Sequence, residues 1–272
     1  MSEGRQNILD KILAVKRGEL ADSRANHHAL LEQSKASAAR RAEIGPHRSL
    51  LEALRRPAGA PVRVLAEIKR ASPSAGPIRP DAVPDLIARD YEEGGAAAIS
   101  VLTDKLFFAG DLDFLMPCRR AVALPLLRKD FLIDPEQIYE AKYAGADAIL
   151  LIVAALPPIG LQIMLREAHA AGLDALVEVH SLEELDIALS APRAPTLIGV
   201  NHRDLKTFAI DMSLTEQIAK RVPPSVVLVG ESGIKTAADV RRLGDVGAHA
   251  VLVGESLMRA PSPRDALKEL LA

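Results

Sequence analysis

Charged side chains recur at the ends of short apolar runs in this sequence. AEIKRASPS carries Glu67 and Lys69, LLRKDF carries Lys129, VEVH carries Glu178, GVNHRDL carries Arg203 and VGESG carries Glu231. In an extended chain every second side chain shares a face. Glu67 is thus in phase with Lys69, Lys129 with Phe131, Glu178 with His180, and Asn201 with Arg203. Arg128, Asp130 and His202 fall on the opposite faces. A charge at the end of a buried strand is costly unless it is paired or used. The helix-facing side must pack apolar helices, so the open end of the strands is the expected address for these groups. Lys69, Lys129 and Arg203 set against Glu67, Glu178 and Glu231 would suit proton transfer on an anionic substrate. The alternative is a ring of salt bridges that only fills the end of the core.

Such residues need a scaffold that gathers strand ends. Eight apolar, β-branched runs supply candidates: VRVLAEIK (62–69), AAISVLTD (97–104), ALPLLRKD (123–130), AILLIVAA (148–155), ALVEVH (175–180), TLIGVN (196–201), VVLVGE (226–231) and AVLVGE (250–255). They are continuously apolar rather than alternating, as expected of parallel strands covered on both faces. Helical patterns lie between them. Asp134-Pro135-Glu136 has a cap and a first-turn proline, Ser181-Leu-Glu-Glu184 reads as a capping box, and Thr236-Ala-Ala-Asp239 reads as a helix start. EGGAAA, YAGADA and DVGAHA read as helix ends that turn tightly back into strands. Eight βα units over about 210 residues imply an α/β fold, a single (β/α)8 barrel. An open doubly wound sheet is less consistent, since no GxGxxG follows the first run.

Residues 1–61 read as an N-terminal helical extension of one domain spanning 1–272. Ile8, Ile12, Leu13 and Val15 form one apolar stripe with Lys11, Lys16, Arg17 and Glu19 around it. Leu50, Leu51 and Leu54 form a second before Pro57. The first helix is expected to cover or steady the barrel mouth.

The runs VGESG (229–233) and VGESL (253–257) place glycines where backbone N–H groups could approach an oxyanion. The loops after the seventh and eighth strands are where this barrel commonly grips phosphate. Composition excludes other classes. Thirty-four basic residues against 36 acidic ones give a net charge of -2, so no basic field exists for nucleic acid or an anionic membrane. The apolar run 148–158 is too short to span a bilayer, and the N-terminus lacks a signal-peptide core. A cytoplasmic protein is expected. The one cysteine, Cys118, precludes an internal disulfide and reads as a packed thiol. The seven histidines show no metal-binding spacing. His27 and His28 read as solvated, His180 as either a support for Glu178 or a packing residue, and His202 as facing away from the mouth.

Taken in order, AEIKRASPSAG, SVLTD, LLRKDF, VEVH, NHRDL, ESGI and VLVGESLM closely resemble the indole-3-glycerol phosphate synthases. The resemblance includes the N-terminal helix ILDKILAVKRGEL. It implies ring closure of 1-(2-carboxyphenylamino)-1-deoxy-D-ribulose 5-phosphate to indole-3-glycerol phosphate, with loss of carbon dioxide and water. It also implies no cofactor and no metal, a phosphorylated small-molecule substrate, and a monomer or weak homodimer. Carried over position by position, Lys129 resembles the general acid for the attacked carbonyl, and Glu178 the acid/base of the dehydration. Lys69 is similar to a lysine that contacts substrate anions and serves as a second proton donor. Glu67 and Asn201 resemble the pair that orients the substrate hydroxyls, and Arg203 the partner of the anthranilate carboxylate region. Glu231, Ser232, Phe131 and Leu252 are implied substrate contacts. Ser72, Gly233, Gly254 and the backbone of Glu255 are the implied phosphate cradle. A proton affinity of Lys129 lowered by apolar walls and by Lys69 is expected. Phosphoribosylanthranilate isomerase is a rival barrel enzyme, but its base would be a cysteine where this chain has Glu67-Ile-Lys69. A catalytically dead barrel that senses phosphorylated ligands would not require the acid–base groups.

Overall fold

The computed structural model describes residues 8–36, 42–204 and 207–272, the side chains of 23–36 excepted. His27 and His28 fall among those excepted side chains. Eight parallel strands close into a barrel: β1 (Arg63–Ile68), β4 (Ala98–Leu102), β5 (Leu126–Lys129), β6 (Ala148–Ile152), β7 (Asp174–Val179), β8 (Leu197–Asn201), β9 (Val227–Glu231) and β10 (Ala250–Val253). β1 pairs with both β10 and β4 and so completes the ring. A two-stranded hairpin, β2 (Ala71–Ser72) with β3 (Gly76–Pro77), rises from the loop after β1.

Each strand carries two apolar faces, and the core is correspondingly two-layered. Outward residues such as Val64, Ile99, Ile149, Val177 and Val251 pack under the surrounding helices. Inward residues such as Leu65, Leu127, Leu150, Leu176 and Leu252 fill the barrel. The short helix Leu50–Leu54 plugs the N-terminal end, where Leu50 and Leu54 join the inner cluster. The second apolar stripe before Pro57 is therefore the barrel's floor.

The helix signals operate largely as the sequence suggests. Asp134 caps the helix Pro135–Ala144 through Glu136 N, with Gln137 closing the box. Gly145 ends it at φ 97°, a left-handed conformation that glycine adopts without a Cβ penalty. Strand ends run shorter than their apolar runs. The run 148–155 leaves the sheet at Ile152, and Val153–Ala155 closes into a 3-10 turn. The run 250–255 stops at Val253 because Gly254 and Glu255 open the helix Glu255–Arg259.

The face opposite the mouth is pinned by a buried ion pair. Arg119 Nη1 lies 2.8 Å from Asp147 Oδ2, and both side chains are almost fully enclosed. Asp147 also accepts from Leu126 N at 3.0 Å and Arg48 N at 2.9 Å, so one carboxylate ties β5 and the N-terminal extension together. Removing one member of such a pair strands a buried charge. Asp147→Ala should cost about 3–5 kcal/mol in urea unfolding; a loss below about 1 kcal/mol would show that Arg119 finds solvent instead.

Candidate active site

The C-terminal strand ends converge as the period-two reading requires. Lys129 at the end of β5 donates to Glu178 Oε2 of β7 at 2.6 Å and to Glu231 Oε2 of β9 at 3.1 Å. Across the mouth on β1, Lys69 Nζ meets Glu67 Oε1 at 2.5 Å. Asn201 of β8 donates through Nδ2 to Glu178 Oε1 at 3.1 Å. Its Oδ1 accepts from Ser232 Oγ at 2.8 Å and Arg203 N at 3.1 Å, which fixes the orientation of the amide. These residues border one cavity of about 510 Å³ at the barrel mouth. Phe131, Leu252, Ser72, Gly233, Gly254 and Glu255 line the same cavity.

The opposite faces behave differently. His202 turns away and is buried, with its ring against Ser232 O at 2.9 Å and Thr215 Oγ1 at 2.7 Å. Burial lowers its proton affinity, so it packs as a neutral ring. Arg128 and Asp130 also turn outward, yet that side is not wholly apolar. Arg128 donates to Glu140 at 2.7 Å, to Gln137 O at 2.9 Å and to Asp130 at 3.2 Å. Charge is tolerated among the helices because every donor has an acceptor.

The expected lowering of the Lys129 proton affinity is overturned. Burial does lower it, but Glu178, Glu231 and Glu67 together raise it well above the ordinary lysine range. Lys69 cannot offset them because its charge is already matched by Glu67. The Lys129 surroundings are carboxylates rather than apolar walls. Two carboxylates share its ammonium, and they part company. Burial raises both, but Lys129 and His180 hold Glu178 well below the usual carboxylate range. For Glu231, burial and the neighbouring Glu178 prevail, and its carboxyl is raised. Among the described residues, Glu231 Oε1 has no hydrogen-bond partner. It occupies the space above Gly199, where a Cβ would collide with it.

The two repeated turns have steric reasons of their own. Ser232 (φ 70°) and Gly233 (φ 82°) both adopt left-handed backbone at the end of β9, and such strain in a non-glycine residue concentrates at functional sites. Gly254 has an ordinary φ of -128°, but a Cβ there would meet Glu67 Oε1 at 2.6 Å. Its missing side chain makes room for the β1 carboxylate. The Glu255 carboxylate faces Arg259 Nε at 3.0 Å, so its charge is matched.

The helix Ile8–Ala36 reaches the mouth with its first turns, where Ile8, Leu9 and Ile12 line the cavity, and it also packs against the helix Pro135–Ala144. Its buried stripe differs from the expected one. Leu9, Ile12, Leu13 and Leu20 are buried, and so is Lys16, which was expected among the solvated charges. The reason is a pair of carboxylates beneath it: Lys16 Nζ lies 2.9 Å from Asp104 and 3.0 Å from Asp130, and Glu19 adds a third partner at 3.0 Å. Asp130 follows Lys129 directly, so this bridge registers the helix on the β5 end. Lys16→Met should raise KM and lower stability by about 3 kcal/mol, because Asp104 loses its only ion-pair partner among the described residues. Unchanged KM and melting temperature would show that the helix docks without it.

Comparison with known proteins places the whole chain in a family. A family model described as indole-3-glycerol phosphate synthase matches residues 9–270. The chain belongs to the indole-3-glycerol phosphate synthase family. The Halalkalibacterium halodurans indole-3-glycerol phosphate synthase is 47% identical over 263 residues, covering 97% of this chain and 96% of the relative. That of Rhodopirellula baltica is 52% identical over 211 residues, covering 78% and 81%. Among solved structures, a 3-hexulose-6-phosphate synthase aligns with TM-score 0.62 at 14% identity, over 77% of this chain and 98% of that one. A thiamine phosphate pyrophosphorylase from Pyrococcus furiosus aligns with TM-score 0.58 at 18% identity, over 82% and 96%. At those identities the likeness is one of fold alone.

For this synthase family member, the sequence reading missed several residues of the cavity. Ser256 lines it with a buried hydroxyl that has no hydrogen-bond partner among the described residues. The repeat of Gly-Glu-Ser at 230–232 and 254–256 was the available signal. Phe108, packed 6.1 Å from Phe131, and Lys235 also border it. Neither stands at a strand end, so the alternation of the strands does not point to them.

Proposed function

We propose that this mouth closes the indole ring of 1-(2-carboxyphenylamino)-1-deoxy-D-ribulose 5-phosphate, releasing carbon dioxide, water and indole-3-glycerol phosphate. The chain is thus an enzyme, a carboxy-lyase of tryptophan biosynthesis. The observation that carries the residue roles is the single ammonium of Lys129 set between two buried carboxylates at the centre of the mouth. A ring carbon attacking the substrate ketone generates an alkoxide, which is more basic than any amine. Lys129 is fully loaded with its proton and donates it downhill, acting as general acid. The iminium formed by attack is an internal electron sink. Carbon dioxide can leave into it, which restores the aromatic benzene ring, and loss of the hydroxyl as water then completes the indole.

Glu178, anionic beside Lys129 and Asn201, takes the ring proton in that dehydration, and Lys69 protonates the departing hydroxyl. Glu67 and Asn201 orient the hydroxyls of the sugar chain. Arg203 faces the anthranilate carboxylate, and Phe131 and Leu252 sandwich the aromatic ring with Glu231 and Ser232 at its edge. The phosphate sits against Ser72, Gly233, Gly254 and the backbone of Glu255. The unpartnered Ser256 hydroxyl supports that assignment. The barrel and its N-terminal helix act as one domain, supported by the buried Lys16 bridge. The working form is a monomer or weak homodimer in the cytoplasm.

The test is to add the synthetic substrate and follow indole fluorescence with carbon dioxide release. The chain contains no tryptophan, so the background is low. Stoichiometric appearance of both supports the reading, and absence of turnover by the pure protein ends it.

A further inference from the structure

His180 sits two residues beyond Glu178, just past the end of β7, and is not among the residues lining the cavity, yet both its ring nitrogens meet carboxylates. Nδ1 lies 3.2 Å from Glu184 Oε2, and Nε2 lies 3.2 Å from Glu178 Oε1. Glu184 was expected to close a capping box on Ser181. It accepts instead from the His180 backbone N at 2.8 Å, while Ser181 Oγ accepts from Glu184 N. Glu184 therefore clamps both the backbone and the ring of His180. An imidazole with a carboxylate at each nitrogen has use for two protons, since a bare nitrogen would face a carboxylate lone pair.

The mouth has a charge problem that such a ring resolves. One ammonium, Lys129, faces two buried carboxylates, so one of Glu178 and Glu231 is pressed to take up a proton. Lys129 reaches both, though it lies nearer Glu178, to which the neutral Asn201 amide also donates. A second cation on one side decides it. We propose that His180 is a positioning residue for the reaction: an imidazolium clamped by Glu184 that keeps Glu178, and not Glu231, as the anionic base. This rests on the proposed function above and deepens it, because it assigns Glu178 the role of base and leaves acid duty to the lysines. Nε2 makes no aligned hydrogen bond to Glu178, so its effect is mainly through charge. The groups facing the pair are Lys129 from β5, Glu231 from β9 and Glu184 from the helix Leu182–Leu189, with Glu67 and Lys69 across the mouth. Burial opposes protonation of His180, but Glu178 and Glu184 prevail and push it up to about 10.

His180→Gln keeps a donor near Glu178 and removes the charge. With the counter-charge gone, the Glu178 carboxyl should rise by about 1–3 pH units. Since the base must be ionised, the acidic limb of the kcat–pH profile should move upward by the same amount. The variant should lose about tenfold or more between pH 8 and its acidic limit, across an interval where the wild type is flat. A His180→Gln profile superimposable on the wild type overturns the proposal. A second measurement needs no variant of His180. In nitrogen-15 spectra of the wild-type enzyme, the His180 ring should keep both protons at pH 8, and Glu178→Gln should move its titration down. A ring that titrates near 6.5 and ignores Glu178→Gln overturns the proposal equally. Failure of the wild type to form indole would instead strike the proposed function, leaving the spectra to judge the imidazolium.

Discussion

Lys129→Ala should lower kcat by about 10² to 10⁴, a loss of about 3–5 kcal/mol of transition-state stabilisation. Product affinity should change much less, because indole-3-glycerol phosphate no longer carries the ketone oxygen that Lys129 protonates. The variant should also be less stable, with a characteristic pH dependence. Glu178 and Glu231 are both buried and would lose the ammonium 2.6 and 3.1 Å away. Their folded-state proton affinities then rise above the unfolded ones. Stability from such groups is retained below the unfolded carboxylate range and lost as pH rises through the folded values. The melting temperature of Lys129→Ala should therefore fall further behind the wild type at pH 8 than at pH 5. Lys129→Arg tests charge against proton transfer. It preserves the counter-ion and much of the stability, but a guanidinium gives up no proton at neutral pH. Its kcat should be almost as low as that of the alanine variant. An arginine variant with most of the wild-type kcat would show that charge alone suffices, and the acid would then be Lys69.

The faces of LLRKDF and GVNHRDL were legible because a strand has a strict period of two. That period puts Lys129 on the face opposite Arg128, and Asn201 opposite His202; the need for an apolar helix-facing side then turns Lys129 inward and His202 outward. The closed barrel was legible from the count of apolar runs, and the floor helix from the spacing of Leu50 and Leu54. What was not legible depends on which strand ends face each other. The proton affinity of Lys129 is set by Glu178 and Glu231, which the local sequence around Lys129 does not contain. Lys16 reads as a solvated helix charge until Asp104 and Asp130 are placed beneath it by the β4 and β5 ends. The Gly254 spacing suggests an anion, whereas the structure adds a steric cause in Glu67 that only the β1–β10 pairing reveals. Gly254→Val would thus disturb Glu67 as well as any phosphate, and competition by inorganic phosphate is the cleaner probe.

Glu178→Gln should separate the two halves of the reaction. Glutamine keeps the shape of the side chain and can still meet Asn201 and Lys129, but it accepts no proton from carbon. Ring closure and loss of carbon dioxide call on Lys129 and the electron sink of the substrate. Only the final dehydration calls on Glu178 as base. In wild-type enzyme, carbon dioxide and indole fluorescence should appear together. In the variant, indole formation should slow by about 10² to 10⁴. Carbon dioxide should still be released in a first turnover close to one equivalent per site, leaving a hydroxylated, non-fluorescent intermediate bound. Substrate KM should stay near the wild-type value, since the cationic groups suited to its carboxylate and phosphate are untouched. Rapid-quench measurement of carbon dioxide beside stopped-flow fluorescence reads both quantities on one sample. If both slow by the same factor and no burst is seen, Glu178 is required at or before ring closure. Its close contact with the Lys129 ammonium would then matter chiefly for holding the acid in place, and the base of the dehydration would have to be Glu67, which pairs with Lys69, since the Glu231 carboxyl is raised and holds its proton more tightly.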